Sequence, residues 1–127
     1  MSATAAQTAV LSGPKSIVER GSEDYPERLL RCGSPPDRLY VIGDVTVLRM
    51  PSLSVVGARK ATPYGRGCAR RFSTLAAARG LVIVSGGARG CDSEAHRAAI
   101  AEGAPTVVFL GGGCDRIYPA ENAALCQ

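Results

Sequence analysis

Histidine and patterned cysteine, the usual carriers of metal binding and of much proton chemistry, are nearly missing from this chain. It has one histidine, His96, and five cysteines, Cys32, Cys68, Cys91, Cys114 and Cys126. The cysteines are odd in number and include no C-x-x-C pair, so neither a disulfide framework nor a zinc site is expected. They read as reduced thiols filling small spaces. Long apolar runs are also absent: none approaches the roughly 20 residues that span a bilayer. Residues 1–10 lack the basic n-region and apolar stretch of a secretory signal. The expected location is therefore cytoplasmic. No Gly-Lys-Ser/Thr loop of an ATPase occurs, and no cofactor or metal is expected.

What is present suits one small domain. The chain has 127 residues, 46% hydrophobic and 20% charged, enough for an adequate core. From Leu53 onward strands and helices alternate: strand 53–57, helix about 63–79, strand 81–84, helix about 93–102, strand 106–110, then a helix start after Pro119. That order predicts an α/β fold, a parallel sheet with helices on its faces. Thr62 with Pro63 can open the first helix and Asp92 can cap the second, while Gly80 and Gly103 can end them. Phe72, Leu75 and Ala76 share the helix face expected to pack on the sheet. Ahead of this body, residues 1–14 read as disordered or as the remnant of a preceding segment, and 15–127 as the domain. Ser16-Ile17-Val18-Glu19 reads as a short strand and Tyr25 to Leu30 as a turn into a short helix starting at Pro26. After a break at Pro35-Pro36, Arg38 to Gly43 reads as another strand leading into the sheet.

Two basic glycine loops lie where the ligands of open α/β sheets bind, beyond the carboxyl ends of strands. One is Val56-Gly57-Ala58-Arg59-Lys60. The other is Ser85-Gly86-Gly87-Ala88-Arg89-Gly90-Cys91-Asp92. Glycines allow the backbone to approach an anion, and the N–H groups at the next helix start would point at it. Arg89 adds a fork of donors. Residues 59–97 carry eight of the fifteen cationic side chains against Asp92 and Glu94. Such a stripe suits a polyanion, although Arg66, Arg70 and Arg79 also fit a solvated helix face. Glu94 and Glu102 read as helix-surface carboxylates. His96, one turn into its helix, is expected to hydrogen-bond a neighbouring loop carbonyl rather than transfer protons. Tyr64 and Tyr118 can stack on bases or pack across their turns. Gly111-Gly112-Gly113-Cys114-Asp115 reads as a strand-end loop, with a mononucleotide pocket as the alternative.

The blocks Tyr25-Pro26, Pro35-Pro36…Leu39-Tyr40…Gly43, Val56 to Arg59, Tyr64-Gly65, Ser85 to Asp92 with Ala95-His96, and Tyr118-Pro119…Asn122…Leu125 occur in one order. Over residues 16 to 127 this sequence resembles the DNA-processing protein family DprA, also called Smf. The resemblance implies a Rossmann-like, three-layer α/β/α domain with a mainly parallel sheet. It implies binding and protection of single-stranded DNA during natural transformation, help in loading a RecA-type recombinase, a homodimer in the full-length family, and no catalysis. By similarity Arg59 contacts phosphate, with Gly57, Lys60 and Arg89 beside it. Ser85, Gly86, Gly87 and Gly90 form the anion loop, and Asp92, His96 and Gly112 support it. Ala58, Gly87 and Cys91 depart from the residues more usual in the family. The family pattern continues beyond Gln127, so the sheet is expected to be incomplete at its C-terminal side, with an uncovered apolar edge that favours self-association. Nucleoside monophosphate hydrolases share the loops but require a Pro-Gly-Gly-x-Gly-Thr-x-x-Glu block, which this sequence lacks. A nucleotide-binding or sensor module remains the alternative.

Overall fold

The computed structural model describes residues 13–114 together with Asn122 and Leu125. The expectations for residues 1–12, Tyr118, Pro119 and Cys126 lie outside them.

The chain opens with β1 (Lys15–Glu19), α1 (Glu27–Leu30) and β2 (Arg38–Ile42). β1 and β2 pair antiparallel, Lys15 opposite Ile42 and Glu19 opposite Arg38, as a two-stranded sheet of their own. The tyrosine and proline blocks meet here. Tyr25, 4% exposed, donates its hydroxyl to Pro36 O at 2.7 Å. A 3-10 helix, Val45–Arg49, follows, its first turn capped by Asp44, which accepts from Thr46 N at 2.9 Å. The sequence pattern gave no sign of this turn.

The second sheet is parallel, in the order β3 (Ser52–Ser54), β4 (Val82–Ser85), β5 (Thr106–Val108). Two helices connect these strands, α2 (Pro63–Ala78) and α3 (Cys91–Ala101). Thr62 caps α2 as its residue type predicts, accepting from Gly65 N at 3.1 Å with Pro63 in the first turn. α3 differs from expectation: its N-cap is Gly90, and Asp92 lies inside the first turn, its carboxylate occupied elsewhere. The core is built on fully buried Ile83, with Ala76, Ala77, Ala95 and Ala99 and the partly buried Val55, Leu81 and Ala104 around it.

The face of α2 also differs from expectation. Ala76 is buried, but Phe72 is 62% and Leu75 44% exposed. The buried residues of α2 are Ala69, Ser73, Ala76 and Ala77, and Ala95 and Ala99 of α3 share one cluster with Ala76 and Ala77. α2 packs chiefly against α3 and to a lesser extent on β4, where Ala76 and Ala77 meet Ile83. Small residues let the two axes approach closely, and a phenylalanine at that seam would hold them apart. The α2–α3 layer covers the sheet face that carries Val55 and Ile83. The opposite face, with Ser54, Val84, Val107 and Phe109, borders a cleft of about 650 Å³ against the segment from Glu23 to Pro51.

Candidate nucleic-acid interface

The two glycine loops leave β3 and β4 side by side and are braced from within. Ser85, 4% exposed, donates its hydroxyl to Val55 O at 2.6 Å, tying the strand ends together. Asp92 Oδ2 accepts from Gly86 N at 3.2 Å and from Ala88 N at 3.3 Å. Ser93 Oγ donates to Ala88 O at 2.6 Å. Buried Asn122 donates to Gly87 O at 2.9 Å and to Ser93 Oγ at 2.8 Å, so it closes the loop from below. A buried carboxylate that accepts two N–H bonds is a fixing device, because leaving those donors unpaired would cost about 1–3 kcal/mol each.

The loops are pressed together at Gly90. Its φ is +79° and ψ −124°, a region essentially confined to glycine. A Cβ there would lie 2.6 Å from Arg59 O and closer still to Ala58 O. Ala58 O also accepts from Cys91 N at 3.3 Å. At Gly57 a Cβ would come 2.6 Å from Cys91 Sγ. Both contacts require a missing side chain, which gives these two glycines a packing role.

This bracing changes the expected source of anion affinity. The Gly86 and Ala88 N–H groups serve Asp92, and the Cys91 N–H serves Ala58. The charge at the groove comes from side chains. Arg59 and Lys60 of the first loop, Arg66 of α2, Arg89 of the second loop and Arg97 of α3 line one groove of about 440 Å³, with Gly90, Ser93, Glu94 and Asn122. All five cationic residues are exposed. Among the described residues Arg59, Lys60, Arg66 and Arg97 form no ion pair. The positive end of α3 adds to the same field.

Of the expected site residues, then, the structure gathers Arg59, Lys60, Arg89 and Gly90 at the groove. Ser85 and Gly87 are buried beneath it, and Gly57 and Gly86 hold the loop backbone without lining it. Gly112 sits in an exposed turn beyond β5 and does not line the groove. Arg66 and Arg97, both counted in the basic stripe but neither named as a site residue, belong to the groove, which decides Arg66 against the solvated-face alternative. Arg79 is on such a face, donating to Leu75 O at 3.1 Å within its own helix. Tyr64, 83% exposed, is not packed across its turn.

His96 corrects its expected partner. Its Nδ1 lies 2.7 Å from Thr106 Oγ1, and that hydroxyl donates to Ile83 O at 2.8 Å. With its only proton so used, Thr106 accepts, and His96 Nδ1 carries the hydrogen. The partner is a strand hydroxyl, not a loop carbonyl. Nε2 is buried with no hydrogen-bond partner among the described residues, and burial pushes the imidazole below its ordinary pKa, opposed by the charge of Asp92. A neutral ring inside the α3–β5 seam is a structural element. No cluster of three metal-ligating side chains occurs among the described residues.

The model for DNA recombination-mediator protein A matches residues 16–127. The chain belongs to that family. It is 38% identical to Protein Smf of Escherichia coli over 109 residues, 86% of this chain and 29% of that protein. It is 36% identical to DNA processing protein DprA of Bacillus subtilis over 107 residues, 84% of this chain and 36% of the relative. The chain thus spans about a third of the length of these relatives. The fold matches solved family members as well. DprA of Streptococcus pneumoniae superposes with a TM-score of 0.82 at 31% identity, covering 88% of this chain and 39% of that one. A Helicobacter pylori DprA, whose structure was described for its single-stranded DNA binding mode, gives 0.75 at 31% identity, covering 89% and 50%.

Proposed function

We propose that this chain binds single-stranded DNA along the groove between its two glycine loops, without reading sequence. One observation carries the reading: five exposed cationic side chains from four separate segments converge on one open groove, while three N–H groups of the second loop, those of Gly86, Ala88 and Cys91, are used internally. Spread charge of that kind follows a sugar-phosphate chain better than it grips one anion. The Helicobacter pylori relative that binds single-stranded DNA shares the fold at 31% identity, which favours the same ligand. We read the site as binding without catalysis. Asp92 is taken up by two backbone donors, and His96 is sealed away from the groove. Protection of incoming strands, loading of a RecA-type recombinase, homodimerisation and a cytoplasmic location belong to the same proposal. No helix among the described residues is long and apolar enough to cross a membrane.

Fluorescence anisotropy of a labelled oligonucleotide tests the reading. Five phosphate contacts set a log–log salt slope no steeper than about −3.5, at ~0.7 per contact for single strands. Arg59→Ala should weaken every sequence about three- to tenfold and flatten the slope by ~0.7, whereas Arg79→Ala should change neither. Equal losses in both variants would count against a defined groove. Efficient competition by a mononucleotide would reassign it to a small ligand.

A further inference from the structure

One carboxylate stands among the groove's cations. Glu94, in the first turn of α3, lines the groove with Arg59, Lys60, Arg66, Arg89 and Arg97. Its Oε2 lies 3.5 Å from Nε of Arg70, a residue of α2 that does not line the groove. The carboxylate is the more enclosed partner, its side chain 21% exposed against 62% for Arg70. An acid in an anion site lowers affinity for the anion, both by direct repulsion and by offering the groove arginines an alternative partner.

We infer that Glu94 is an internal competitor that holds polyanion affinity below what the five cations alone would give, and that Arg70 is a positioning residue governing how strongly it competes. Paired to Arg70, the carboxylate is drawn toward the α2 wall and its charge is offset. Without Arg70 it turns to the groove arginines and occupies them as a phosphate would. Arg70 therefore acts on the ligand through Glu94, with no contact of its own. This rests on the nucleic-acid reading for the identity of the anion, but the charge argument applies to any polyanion.

A double-mutant cycle on the full chain tests it, with anisotropy of a labelled oligonucleotide and calorimetric titration of inorganic tripolyphosphate as separate readouts. Glu94→Gln should tighten both ligands about three- to tenfold at low salt, a gain that shrinks as salt rises. Arg70→Ala should weaken binding at least about twofold in the wild-type background and have no effect in the Glu94→Gln background, and Arg70→Lys should restore most of the loss. Melting midpoints should stay close across the set, since an ion pair with one partly exposed and one well-exposed partner contributes little to stability. Two results overturn the inference: Glu94→Gln that binds no tighter, or Arg70→Ala that weakens binding equally in both backgrounds, the mark of a direct phosphate contact. Tripolyphosphate binding with the expected pattern but no oligonucleotide binding would sink the DNA reading and leave this one standing. Binding of neither ligand would end both.

Discussion

His96 carries a pH dependence that can be read at a single ring. Burial lowers its folded pKa, so protonation favours the unfolded chain. Its stabilising contribution is complete above the unfolded value near 6.5 and is lost progressively as pH falls below it. His96→Asn keeps a donor for Thr106 but has no proton to gain. The variant should melt lower than wild type at pH 8, because the smaller side chain leaves a cavity, yet lose less of its midpoint between pH 7 and 5. Thermal melts across pH 5 to 8 check this, and parallel losses would show that other groups set the acid response. At this scale the sequence was readable where a residue type has few uses: Arg59 and Lys60 beside Gly57, or Thr62 before Pro63. Asp92 was legible in part: the family resemblance made it a support of the loop, which it is, while its residue type also suggested a helix cap, which it is not. The fold adds the donors, the N–H groups of Gly86 and Ala88.

The helices show what patterning misses. Reading the face of α2 from its largest apolar residues selects Phe72 and Leu75, but the helix buries its alanines and Ser73 instead. Hydrophobic periodicity weights bulk, and a close helix pair selects against bulk, so the two criteria point to different sides of one cylinder. The α2–α3 seam makes this testable. Phe72→Ala should cost under about 1 kcal/mol, as most exposed substitutions do. Ala99→Leu, which overpacks a fully buried site beside Ile83, should cost about 1–3 kcal/mol. Urea denaturation followed by circular dichroism measures both, and a larger loss at Phe72 would contradict the seam. The strands were legible at this scale because the glycine loops bracket them. The 3-10 helix at Val45–Arg49 was not, since a single turn leaves no period to detect.

Across the whole molecule, burial is uneven. β4 lies between two strands and beneath two helices, with Val82 and Ile83 at 1% and 0% exposure, whereas among the described residues around the β1–β2 sheet only Val18 and Tyr25 are buried. Amide exchange should therefore be slowest at Val82, Ile83 and Val84 and much faster along β1 and β2. Uniform protection would mean that the two sheets open as one unit. The groove also belongs to this scale, and this explains why part of it escaped the sequence. Arg66 and Arg97 look like any solvated arginine on a helix until the packing of α2 on α3 turns both toward Arg59. The seam at Gly90 has one further consequence. Because Ala58 and Arg59 rest directly on the backbone of Gly90, moving one wall of the groove alone would break that contact. On the proposed reading the face is thus largely set before the nucleic acid arrives, and most of the entropy lost on association falls on the ligand.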